Sequence, residues 1–175
     1  MDTEPGSLLS NLNLELEARV DDPRWQDEKI FQNIYDHSLV VAKTTLSTVF
    51  FNITNNFSVN LSLLLSNNQA LKELNFTFRQ IDKATNVLSF PTAELKKVEL
   101  SKKLQCSEKV FLGDIAISFD KIEEEWLEYT NSFQNHYNHM LIHGILHLCG
   151  FDHQNDAEAE IMEKLEQEIL AKIIN

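Results

Sequence analysis

His143-Gly144-Ile145-Leu146-His147-Leu148-Cys149-Gly150-Phe151-Asp152-His153 is the stretch on which the reading of this chain turns. His143 and His147 lie four residues apart and, on a helix, project from nearly one face, a turn apart. Gly150 stands where such a helix can stop, because glycine takes the left-handed conformation that a C-terminal cap needs. The chain can then turn back and carry His153 toward the same point. Three imidazoles closing on one zinc ion leave a tetrahedral position for water, the arrangement of a catalytic site rather than a closed structural one. The bland alternative is a buried helix with incidental histidines.

The spacing is close to the metzincin pattern H-E-x-x-H-x-x-G-x-x-H, with one departure. The peptidases carry Glu after the first His, as general base. Here that position is Gly144, which can neither take nor give a proton. The metal framework is kept and the peptidase's proton carrier is missing. Neutral imidazoles would hold one Zn2+ at about 2.0–2.1 Å, and water bound there could fall to a pKa of about 7.

Outward from the motif, a helical pattern runs from about Phe133 to Leu148. A closing helix over Ala157–Ile173 puts Ile161, Leu165, Ile169, Leu170 and Ile173 on one stripe. Upstream, Leu12 to Val20 alternates strictly and reads as a half-buried strand. Asp21-Asp22-Pro23 offers a turn and a helix start, and Trp25, Ile30, Ile34, His37, Val41 and Leu46 follow at roughly helical spacing. Val59–Leu65 reads as a strand, with Ser66 or Asn67 capping a helix through about Phe78. Val87–Phe90 is a strand stopped by Pro91, Ile115–Ile117 is another, and Asp120 can cap a helix through Glu128. Residues 92–109 are polar, lysine-rich and without clear periodicity, which predicts a loop or insertion. The expected fold is a single α+β domain over residues 1–175, a small sheet of about four strands packed with about five helices.

The chain has 175 residues, enough for one domain with a real core. Its 43% hydrophobic and 24% charged shares are ordinary for a globular protein. No apolar run approaches the roughly 20 residues of a membrane span, and the acidic start Met-Asp-Thr-Glu-Pro-Gly is unlike a signal peptide. Cys106 and Cys149, two and far apart, make a disulfide framework unexpected and a reducing cytoplasm the expected compartment. A formal charge of −12 argues against broad electrostatic binding of nucleic acid. Arg79, Lys83, Lys96, Lys97, Lys102 and Lys103 could still supply a local basic cleft.

Three blocks in order resemble the YbeY family, bacterial rRNA maturation factors described as metal-dependent endoribonucleases. They are Leu74–Pro91 (LNFTFRQIDKATNVLSFP), Gly113–Ser118 (GDIAIS), and His143–His153 followed by Glu158–Met162 and Glu166. The resemblance covers roughly Leu12 to Leu170. It implies a mixed sheet packed with helices, zinc at His143, His147 and His153, a cleft with an essential arginine matching Arg79, and work on the 3′ end of 16S rRNA and on ribosome quality. RNA is then the partner, with ribosomal proteins or the small subunit beside it, and neither DNA nor a membrane is expected. Two features depart from the family pattern: Ala84 stands where Pro is common, and the 92–109 segment is long. Neither is expected to touch the metal motif.

The remaining residues keep two readings each. Arg79 can contact phosphate as a bidentate, always-charged group, or simply close the helix before it. Asp152 can orient a histidine, act as a weak base, or cap the turn. His136 and His139 can form a rival ligand pair, or lie exposed or behind the ligands. Cys149 reads as a small buried side chain and Ser89 as a poor nucleophile. Phe76, Phe78 and Phe90 can stack on bases or pack in the core, the latter being expected.

Overall fold

The computed structural model describes residues 11–106, 109–129 and 132–174; the acidic N-terminal stretch lies outside them. The first strand, β1 (Leu12–Val20), keeps the alternation read from sequence, with Leu12 and Leu16 buried and Asn13, Glu15, Glu17 and Arg19 exposed. A 3-10 turn at Pro23–Gln26 follows, with the Asp22 carboxylate accepting from the Arg24 N–H. Helix α1 (Ile34–Val49) starts only after Asn33, whose side chain accepts from the N–H groups of Tyr35 and Asp36. Trp25 therefore stands outside the helix its spacing suggested. It is fully buried, and its indole N–H donates to the Ser66 carbonyl at 2.9 Å.

Next come β2 (Phe57–Ser66), α2 (Asn68–Arg79), β3 (Val87–Pro91), α3 (Lys97–Cys106), β4 (Val110–Ser118), α4 (Phe119–Tyr129), α5 (Phe133–Leu148) and α6 (Asp156–Ile174). The sheet order is β1-β2-β4-β3, with β1, β2 and β4 parallel and β3 antiparallel at the edge. This is the α+β domain with a four-stranded mixed sheet that was expected, with six α-helices among the described residues rather than about five. The extra one is α3, inside the segment read as a loop. Only Leu100 and Leu104 anchor it, one turn apart, among lysines and polar residues, too few for a visible period.

The large apolar core lies on one sheet face, where Val59, Leu61, Leu63, Ile115 and Ile117 meet Val41 and Leu46 of α1 and Leu141, Ile142 and Ile145 of α5. Leu71 of α2 covers Leu88 and Ala116 on the other face. β4 is longer than its Ile115–Ile117 signature because a bulge interrupts its phase. Asn60 pairs with Phe111 and Ser62 with Asp114, so β4 carries one extra residue there. Gly113 allows it: its φ is +138°, and a Cβ would stand 2.2 Å from the Phe90 carbonyl oxygen.

Asp120 does not cap its own helix as expected. Its carboxylate accepts the Asn68 N–H at the start of α2 (2.7 Å) and pairs with Arg24 (2.8 Å), while the Lys121 N–H donates to Ser118 Oγ. In α6 the stripe read in sequence holds for Leu165, Ile169, Leu170 and Ile173, which pack against the core, while Ile161 is 58% exposed and Met162 and Glu166 are buried in addition.

Candidate metal centre

Helix α5 packs on the sheet and carries His143 and His147, both half-buried, toward a cleft that Val87, Ser89 and Pro91 of β3 also line. On the sheet side Gly144 is buried, and a Cβ there would sit 3.2 Å from both Ser89 Oγ and Ile115 Cγ2. The Ser89 hydroxyl donates to the Gly144 carbonyl at 3.2 Å. The side chain absent at position 144 would have pointed into the sheet.

The end of α5 sets the third imidazole. The Phe151 N–H donates to the Leu146 carbonyl and the Gly150 N–H to that of His147, both at 3.0 Å, with Gly150 at φ +82°. That is the Schellman closure expected of a C-terminal glycine. A Cβ on Gly150 would meet the Leu95 carbonyl oxygen at 2.1 Å. The 92–109 segment therefore does touch the motif: its backbone abuts the turn, and Lys97 Nζ lies 5.8 Å from the centre of the Phe151 ring. The Asp152 carboxylate accepts the His153 N–H at 2.8 Å, which is the turn-capping reading of that residue.

The three rings converge. His143 Nε2 and His147 Nε2 are 3.0 Å apart, and one ring nitrogen from each of His143, His147 and His153 lies within 4.8 Å of the others. Tetrahedral zinc with bonds of about 2.0–2.1 Å places its ligand atoms about 3.3 Å apart, so the set fits an ion after small ring movements. The other nitrogens fit as well. His147 Nδ1–H donates to the Phe151 carbonyl (3.1 Å) and His143 Nδ1–H to Glu166 Oε1 (2.7 Å), so both rings turn an Nε2 lone pair inward. Burial, reinforced by the neighbouring imidazoles, pulls the pKa of His147 down to about 4, keeping it neutral as a ligand must be.

Glu166, from α6, is the site residue whose part sequence reading missed. Burial alone would raise its pKa, but hydrogen bonds from His139 (2.8 Å, to Oε2) and His143 outweigh that and hold it at about 2. The sequence marked it only as a member of the third block of the family resemblance, with no role attached. His139 thus lies behind the triad rather than in a rival pair, and His136 is buried with Nε2 2.9 Å from Glu125 Oε2. Cys149 is fully buried, which drives its thiol pKa upward.

A cleft of about 940 Å³ opens over the rings. Arg79, the last residue of α2, reaches into it round the edge strand, donating to the Ser89 carbonyl at 3.2 Å and lying 5.7 Å from the centre of the Phe90 ring. Of the other basic candidates Lys96 also lines the cleft, together with the carboxylates of Glu94, Asp152 and Glu158. Phe76 and Phe78 are 54% and 65% exposed, so the expectation that they pack in the core fails; Phe90 is half-buried against α2.

The family described as Endoribonuclease YbeY matches residues 24–174. The chain belongs to the YbeY family. A relative named Endoribonuclease YbeY from Bartonella bacilliformis is 38% identical over 160 residues, covering 91% of this chain and 93% of that one. The solution structure of TM1509 from Thermotoga maritima shares the fold, with a TM-score of 0.55, 22% identity, and coverage of 91% of this chain and 89% of that one. No described helix is long and apolar enough to cross a membrane.

Proposed function

We propose that this YbeY-family chain is a metal-dependent endoribonuclease that binds one Zn2+ through His143, His147 and His153 and acts in the cytoplasm on rRNA, at the 3′ end of 16S rRNA, in ribosome maturation and quality control. The observation that carries the reading is the convergence of three neutral-capable imidazoles in the cleft that Arg79 also enters. The bound ion would supply Lewis acidity and a water of lowered pKa. Arg79 contributes a permanent, planar positive charge that suits a phosphodiester and the charge developing on it. Asp152 acts indirectly, by fixing the turn that presents His153. The Bartonella relative's name supports RNA as substrate. Partners of the small ribosomal subunit belong to the same proposal.

A peptidase reading is disfavoured because position 144 has no general base, and a Cβ there would already stand 3.2 Å from Ser89 Oγ and Ile115 Cγ2. The test is elemental analysis and cleavage of rRNA fragments by wild type, the three single His→Ala variants and Arg79→Ala. Wild type should carry about one zinc per chain and lose cleavage with chelator. The histidine variants should lose both metal and cleavage. Arg79→Ala should keep its metal and lose roughly 10²–10³ in rate. Equal cleavage by a His143→Ala/His147→Ala double variant would refute the metal-dependent reading. Faster peptide than RNA cleavage would reverse the choice of substrate.

A further inference from the structure

Glu166 is 7% exposed at its side chain, and both of its carboxylate oxygens are engaged: Oε1 by His143 Nδ1 at 2.7 Å, Oε2 by His139 Nε2 at 2.8 Å. An ionised carboxylate can only accept hydrogen bonds, and a neutral imidazole has a single N–H. Bonding to Glu166 therefore commits His143 to the Nδ1–H tautomer and leaves the Nε2 lone pair facing His147 Nε2, 3.0 Å away. His139 is one helical turn before His143 on α5, so both imidazoles reach the same carboxylate from one helix face. His147 is fixed by a different element, the Phe151 carbonyl. Two of the three imidazoles are thus aimed by groups that are not themselves part of the triad.

We propose that Glu166 and His139 are positioning residues of the histidine centre: the Glu166 carboxylate, held in place by His139, fixes the His143 ring so that Nε2 is the nitrogen offered to a divalent ion. This rests on the metal reading above. A carboxylate behind a ligating imidazole fixes its orientation and raises its basicity, and losing such a partner costs about 10–100-fold in metal affinity. His139 acts only through Glu166, so its contribution vanishes when the carboxylate is gone. A purely structural role for this pair would leave the ion's affinity and the His143 tautomer unchanged.

The experiment is Zn2+ affinity by competition with a chromophoric chelator, on the full chain, for wild type, Glu166→Ala, Glu166→Gln, His139→Ala and the His139→Ala/Glu166→Ala double variant. Nitrogen-15 NMR of the imidazoles in metal-free protein reads the tautomers. Glu166→Ala should bind about 10–100-fold more weakly. Glu166→Gln should recover part of that loss, because its amide oxygen still accepts from Nδ1–H. His139→Ala should lose several-fold, and nothing further in the Glu166→Ala background. Wild type should show His143 protonated at Nδ1, and Glu166→Ala a mixture. An unchanged affinity in Glu166→Ala, losses that multiply in the double variant, or a wild-type His143 protonated at Nε2 would each overturn the proposal. If Glu166→Ala does not fold, His139→Ala, altered at a side chain one-third exposed, decides by affinity and tautomer. Tight Zn2+ binding by wild type with unaltered variants refutes this inference alone. No Zn2+ uptake by wild type refutes the metal reading and this inference with it.

Discussion

Gly144 is held between Ser89 and Ile115, and the distances there decide what the residue can become. A glutamate side chain at this position would have to push Ser89 and Ile115 aside and take its charge in against the sheet. The expected cost of Gly144→Glu is roughly 3–5 kcal/mol of folding stability, measured by urea denaturation of the metal-free protein. A variant as stable as wild type would mean that α5 can lift off the sheet. Much at this scale was legible in the motif: the three histidines, the capping glycine and the buried cysteine all stand as their spacing implied. The part Glu166 plays was not, although the resemblance includes the residue, because it comes from another helix and sits among Glu160, Glu163 and Glu168, which nothing local separates from it. Side chains that meet across two helices leave no fixed interval in sequence.

Elements with several anchors were read well and those with few were not. Helix α5 has the Ser132 side chain accepting the Asn135 N–H at one end and the Gly150 closure at the other, and its bounds match the expected ones. Strand β4 was shortened because one bulge residue shifts the inward side chains from 110 and 112 to 115 and 117. The connection after β1 gives a prediction of its own. The Arg24 guanidinium takes both Asp22 oxygens, at 3.0 and 2.8 Å, reaches Asp120 at 2.8 Å and lies 4.5 Å from the centre of the Phe119 ring. The Arg24 bond holds the Asp22 carboxyl below its ordinary value despite burial. A carboxylate whose pKa is lowered by folding adds stability above its unfolded pKa of about 3.9 and loses it as pH falls through the folded value. Asp22→Asn keeps the cap and removes the charge. It should cost about 1 kcal/mol at pH 7, given that Arg24 is half in water. That difference should fade below about pH 4 in denaturation curves at stepped pH. A cost that persists undiminished in acid would assign the effect to packing instead.

Across the whole molecule, the core and the metal centre are separable. The apolar side chains between sheet and helices form a buried cluster of their own, and His143, His147 and His153 line the cleft beside it. Metal-free protein should therefore keep its helical circular dichroism and a cooperative thermal transition. Free Zn2+ at about 100 times its Kd should add about 2.7 kcal/mol of stability. Collapse of the spectrum on chelation would make the ion structural. The close contact at position 144 also bears on redesign of the site. Writing a glutamate after His143 restores the peptidase motif on paper, yet its Cβ would already stand 3.2 Å from Ser89 Oγ and Ile115 Cγ2. Trimming the side chains at 89 and 115 alongside it would make the room, so a proton carrier there is a matter of repacking three positions rather than of exchanging one residue.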